Sequence, residues 1–151
     1  MSPEDWEVFR AVRLAALKDA PYAFASTHER EVRVGEDDWR RRLAGRCQFL
    51  AEVDGNAAGT VGGIAADDGT AALISMWVAP SARGRGVGEM LVQAVLDWAG
   101  GEGHPAVRLW FAEGNAAAER LYVRCGFVRT GATQPIVPGR PRMEFEMERL
   151  L

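Results

Sequence analysis

The segment from Val78 to Gly88 constrains this chain more than any other. It reads Val78-Ala79-Pro80-Ser81-Ala82-Arg83-Gly84-Arg85-Gly86-Val87-Gly88. The apolar run 71–78 precedes it and Pro80 stops that run. After it, Val87, Leu91, Val95 and Ala99 form one stripe at helical spacing, with Val92 and Leu96 beside it. The predicted order is strand, glycine-rich loop, helix. Glycines let the backbone turn tightly and approach a ligand closely. The first amides of a helix are unpaired and lie at its positive end, which suits them to phosphate. Arg83 and Arg85 add charge-assisted donors. Two common phosphate loops do not fit. A P-loop needs Gly-Lys-Ser/Thr, but Glu89 follows Gly88. The dinucleotide fingerprint needs a sixth-position glycine, and counting from Gly84 that position is also Glu89.

The rest of the chain frames this loop. Residues 4–19 carry Trp6, Phe9, Val12 and Ala16 near helical spacing, and Ala20-Pro21 ends them. A second helical region covers 25–45 and breaks near Val34-Gly35, where Glu36-Asp37-Asp38 suits a fresh N-terminus. Residues 48–53 and 58–66 flank Asp54-Gly55-Asn56, a hairpin signal, and Asp67-Asp68-Gly69 turns into the run 71–78. These three runs predict an antiparallel meander. Beyond the helix closed by Gly100-Gly101, the pattern predicts a strand at 107–112, a short helix at 115–124, and strands at 127–133 and 142–149. A proline-bearing loop with Pro135, Pro138 and Pro141 joins the last two. The expected architecture is one α/β (mixed α+β) domain over 1–151, with about six strands flanked by helices.

Composition narrows the function. Of 151 residues, 48% are apolar and 26% charged, as in an ordinary globular protein. A net charge of −3 does not suggest nucleic acid, and no apolar run approaches the roughly 20 residues of a membrane span. Residues 1–75 hold thirteen acids and nine bases, whereas 76–151 hold eight and nine. The first half therefore leans towards a cation and the second towards an anion. Cys47 and Cys125 lack metal-ligand spacing, so free thiols in a reducing cytoplasm are expected, with no metal.

The loop Arg83-Gly84-Arg85-Gly86-Val87-Gly88 resembles the acetyl-CoA pyrophosphate loop of the GNAT acetyltransferases. Asn115, Ala118, Leu121-Tyr122 and Gly126-Phe127 resemble that superfamily's second signature, in its order and at its usual separation. The resemblance implies a mostly antiparallel mixed sheet of six to seven strands, splayed into a V between the strands at 71–78 and 107–112. It implies that residues 83–88 hold the pyrophosphate and that Met76, Trp77 and Val78 border the pantetheine arm, with the Val78 amide polarising the acetyl carbonyl. Asn115 and Ala118 would meet the arm, and Tyr122 would protonate the leaving sulfur. Members begin with a strand ahead of the first helix, whereas Met1-Ser2-Pro3 leads straight into it. That strand is either absent or encoded upstream, which leaves the sheet edge and a homodimer open.

Each residue also has a plainer reading. Tyr122 could be a packed aromatic, Asn115 a helix N-cap, and Cys47 and Cys125 packed thiols. His28 sits in the expected acceptor region and His104 in a turn. Trp77 and Trp110 flank the expected opening. For the base that deprotonates the amine, Glu29, Glu31, Glu52 and Glu113 are the candidates. The acceptor should be selected by 20–45 and 133–142, and the acids at 29, 31 and 36–38 suggest that it is cationic. The reading is direct acetyl transfer from acetyl-CoA to a primary amine, either a small amine or the N-terminus or lysine of a peptide or protein. Its alternative is an acyl-CoA-binding regulatory module without catalysis, which would not need the Tyr122 hydroxyl.

Overall fold

Asp54 and Gly55 adopt φ of 53° and 77°, the left-handed pair of a two-residue hairpin turn, in a computed structural model describing residues 1–151. The turn joins β1 (Cys47–Val53) to β2 (Asn56–Ala65). A second turn, in which Asp68 accepts from the Thr70 amide and hydroxyl, leads to β3 (Ala71–Val78). The predicted meander is therefore present. Ahead of it lie α1 (Trp6–Asp19), α2 (His28–Glu31) and α3 (Glu36–Ala44), and the break expected near Gly35 is the N-cap of α3. After it come α4 (Val87–Gly101), β4 (Ala106–Ala112), α5 (Ala116–Arg124), β5 (Val128–Pro135) and β6 (Met143–Leu150). The six strands run in the order β1-β2-β3-β4-β6-β5, and only β3 and β4 are parallel. Three short 3₁₀ turns, at Pro3–Asp5, Pro21–Ala23 and Pro80–Ala82, each begin with proline.

Apolar periodicity decides how the layers stack. Val87, Leu91, Val92, Val95, Leu96 and Ala99 of α4 are all buried against Val61, Leu73, Val107 and Leu109 of the sheet. Strand alternation sends neighbouring side chains to opposite faces. Phe49, Ala51 and Val53 accordingly join the α4 core, while Leu50 joins Val12, Ala16 and Trp77 on the α1 side. A third cluster, Phe9, Trp39 and Leu43, ties α1 to α3. The sheet approaches α4 closely because β2 carries glycine where they meet. A Cβ on Gly63 would lie 2.8 Å from the Trp98 ring.

The parallel seam opens the site. β3 pairs β4 only at Ala71↔Val107 and Ala72↔Arg108. Beyond that point β3 stays with β2 as far as Val78, and β4 stays with β6 as far as Ala112. A bulge in β3 accompanies the parting. Ile74 faces Gly62 and Trp77 faces Thr60, so Ser75 and Met76 together stand opposite Val61 alone. Ser75 takes φ of 54°, a left-handed setting that is strained for a side chain with Cβ.

Candidate active site

A cavity of about 860 Å³ fills the space between the two arms. Met76, Trp77 and Val78 line it from β3, and Trp110 lines it from β4. The Ala79 amide donates to Ala58 O at 2.8 Å, across to β2. Alternation along the strand turns the preceding amide, that of Val78, the other way, towards the opening.

The glycine loop closes one end. Gly84 and Gly86 take φ of 75° and 79°, and Gly86 is the N-cap of α4. No side chain caps that helix, and its first backbone bond runs from Met90 to Gly86 O at 3.2 Å. The amides of Val87 and Gly88 therefore remain available at the positive helix end. Gly88 has a packing reason as well, since a Cβ there would meet Leu121 of α5 at 3.0 Å. Arg83 serves as a strut: its Nη2 donates to Asp19 at 2.6 Å and its Nε to Val78 O at 3.1 Å. Asp19 also accepts from Trp77 Nε1 at 3.0 Å, which fixes the end of α1 against the loop. Arg85 is exposed and lies outside the cavity lining. Arg124 bonds Glu89 at 2.8 Å, balancing the one acid in the first turn of α4 and holding its carboxyl below the usual range.

α5 supplies the third wall. Asn115 is its N-cap, accepting from the Ala118 amide at 3.3 Å, and both residues line the cavity. Tyr122 lines it too, with its ring buried and edge-on to Phe127 at 5.9 Å. Burial, with a smaller contribution from Cys125, pushes the Tyr122 hydroxyl pKa up, so it stays protonated at neutral pH. Burial likewise raises the pKa of both cysteine thiols, and neither is a ready nucleophile.

Several expectations need correcting. None of Glu29, Glu31, Glu52 and Glu113 lines the cavity, so none of them stands beside the space where the amine reacts. The acids 36–38 lie outside it as well, at the start of α3, where Glu36 and Asp38 pair with Arg40 and Arg41. Of the acids behind the inferred cation preference, all but Asp37 are thus paired with arginines. His28 is exposed on α2, and the His104 Nδ1 lies 2.8 Å from Gly69 O; neither lines the cavity. Residues 22–26 do face it, whereas none of 133–142, the end of β5 and the connection to β6, lines it. Sequence reasoning missed Arg13 of α1 and Glu144 of β6. Both line the cavity, and Glu144 is held by Gln134 Nε2 at 2.7 Å.

Glu31 is instead a structural anchor. Arg13 Nη2 bonds it at 3.0 Å and Arg42 Nη1 bonds it from the other side. Burial alone would raise its pKa, but these hydrogen bonds outweigh burial and hold it below the ordinary value of 4.5. Glu31→Ala leaves two half-buried guanidinium groups unpaired and should cost about 3–5 kcal/mol in urea unfolding. The wild-type contribution is fully present above the unfolded pKa and is lost as pH falls through the lower folded one. Melting temperature should therefore drop on acidification more steeply in wild type than in Glu31→Gln.

A model of the acetyltransferase (GNAT) family matches residues 10–127. Over 97 residues, 63% of this chain, the sequence is 35% identical to N-acetylaspartate synthetase of Homo sapiens, and the match spans 32% of that protein. The chain thus spans about a third of the length of this curated relative. A ribosomal-protein-alanine N-acetyltransferase from Brucella melitensis superposes with a TM-score of 0.78 and 22% identity, covering 100% of this chain and 97% of that one. An acetyltransferase from Salmonella typhimurium, solved with its cofactor acetyl-CoA, gives 0.78 and 23%, covering 100% and 91%. These two likenesses establish the fold.

Proposed function

The chain belongs to the acetyltransferase (GNAT) family, and from that premise we propose that it transfers the acetyl group of acetyl-CoA directly to a small amine. One observation carries the reading: a single cavity joins the uncapped N-terminus of α4, the outward Val78 amide and the buried Tyr122. The loop amides of residues 83–88 hold the pyrophosphate at the positive helix end. Met76, Trp77 and Val78 border the pantetheine arm on one side, with Asn115 and Ala118 on the other. The Val78 amide donates to the thioester oxygen as negative charge builds there. Tyr122 gives its proton to the sulfur as the carbon–sulfur bond breaks. No helix of the chain is long and apolar enough to cross a membrane, and we place the reaction in a reducing, cytoplasmic setting.

Before it attacks, the amine must lose a proton. Glu144 is the acid that lines the cavity without an arginine partner, and we assign it that role. Glu144→Gln should lower kcat by about 10²-fold or more at neutral pH, the scale of general base catalysis. Unchanged turnover at every pH would remove Glu144 from the mechanism.

The binding half of the proposal is tested by thermal denaturation with CoA in the absence of metal. Saturation at about 100 times Kd should stabilise the fold by about 2.7 kcal/mol. No shift with CoA, together with a clear one from NAD or ATP, would overturn the assignment.

A further inference from the structure

Arg13 sits where α1 meets the cleft, with its side chain only 13% exposed. Its Nε and Nη2 are spent on Glu31, but its Nη1 is buried and has no hydrogen-bond partner. An unpaired buried donor on a charged group is costly, and native proteins rarely carry one without a reason. The Phe24 ring covers this guanidinium, its centroid 4.8 Å from the Arg13 Cζ. Phe24 lies on the connection between α1 and α2, outside any helix, and also lines the main cavity.

Charge around Arg13 is also unbalanced. A smaller pocket of about 320 Å³ adjoins the cavity, and Arg13, Ala25, Ser26 and Ser75 line both. Arg30, Arg42 and Arg46 complete its cationic wall, and Glu31 is the only acid on it. Arg42 and Arg46 are not free surface chains. They stack over Trp39 and Phe9 at 4.6 and 5.8 Å, and Arg46 Nε donates to Arg42 O at 3.1 Å. Burial, and then the charges of Arg13 and Arg42, hold the Arg46 pKa below its usual value, which marks a crowd of positive charge that an anion would relieve.

We propose that this pocket selects the acceptor, a small amine that also carries a carboxylate, by drawing that carboxylate to the cationic wall around Arg13. The assignment rests on the acetyl-transfer reading above and names its substrate class. The geometry is consistent. Ser75, shared by both pockets, precedes Val78 by three residues on β3, across the bulge. Arg13 and Val78 both line the main cavity, so an acceptor anchored at Arg13 shares that cavity with the thioester proposed at Val78. Glu144 lines the same cavity from β6, on the other arm, and suits the ammonium end. A protein N-terminus would bring the amine without a nearby carboxylate and would leave Arg13 unpaired.

Two measurements test the assignment. In the first, CoA release is followed with glycine, aspartate and glutamate, with their amides, and with phosphoethanolamine as a phosphate-bearing amine. The free acids should exceed the amides in kcat/KM by about 10–100-fold, mainly through KM. That ratio should collapse towards one in Arg13→Gln/Glu31→Gln, which removes both members of the buried pair, through loss of the acids' advantage in KM. Equal use of acids and amides by the wild type, or a preference that survives in the double variant, would overturn it. Preference for phosphoethanolamine over every carboxylate would overturn the choice of anion. In the second, N-acetylaspartate and its diamide are titrated into CoA-loaded protein by calorimetry. This readout needs no turnover. If no amine is acetylated but N-acetylaspartate binds and its diamide does not, the transfer reading fails and the anion site stands. If neither binds, the anion site fails.

Discussion

Tyr122→Phe is expected to lower kcat by about 10²–10⁴-fold while leaving CoA affinity and melting temperature nearly unchanged. The leaving group is a thiolate whose parent thiol should have a pKa near that of cysteine, about 8.5. At neutral pH it departs more readily if a proton arrives as the bond breaks. Tyr122 meets the requirements for a donor. Its ring is locked by burial and by Phe127, it lines the cavity, and like any phenol it keeps its proton at neutral pH, while burial raises its pKa and makes it a weaker acid. Phenylalanine preserves the ring and its packing and removes only that proton. Turnover at the wild-type rate, with a verified acceptor, would make Tyr122 a packing residue and pass the proton to water or another group.

Gly86→Asp is expected to weaken CoA binding by about 10²-fold, the loss of one or two charge-assisted bonds, with the fold intact. Gly86 has no atom within 4 Å of a built Cβ, so the new side chain enters open space in the path proposed for the phosphates. Its φ of 79° is left-handed, which aspartate and asparagine tolerate better than other residues. Gly86→Asn carries the same backbone strain without the charge and should bind CoA much more tightly than Gly86→Asp. Equal affinities in the two variants would place the phosphates elsewhere. Gly88→Asp is a poorer probe than the sequence suggests. Its Cβ would crowd the end of the Leu121 side chain at 3.0 Å and make that side chain shift, so a packing effect would mix with the charge effect.

The strand–loop–helix segment and the second signature were legible because local chemistry dictates them. Pro80 ends a strand, and the glycines at 84 and 86 take positive φ where the turn requires it. The stripe from Val87 to Ala99 can be buried only as a helix face. Asn115 proved to be the N-cap that its position suggested. What escaped the sequence depends on tertiary placement. Arg13 looks like any solvated charge on an amphipathic helix, and its isolation follows only once Glu31 and Phe24 fold against it. Glu144 sits in a strand with acids at 146 and 148, and only its position at the open end of β6 distinguishes it. The acids from 29 to 38, Asp37 apart, are balanced by partners, among them Arg33, Arg40, Arg41 and Arg42, within the same short stretch. Nothing in Ile74-Ser75-Met76 announces a bulge; the register against β2 creates it.

The central claim is that the cleft between β3 and β4 carries an acetyl group to an amine rather than merely holding an acyl-CoA. Incubation of the purified protein with acetyl-CoA and the amine panel, with CoA thiol and acetylated amine quantified together by mass spectrometry, tests it most directly. The account predicts equimolar CoA and N-acetylated amine, formed in wild type and nearly abolished in Tyr122→Phe. Tight acetyl-CoA binding with no acetylated amine from any acceptor, and with CoA appearing no faster than by spontaneous hydrolysis, would contradict it.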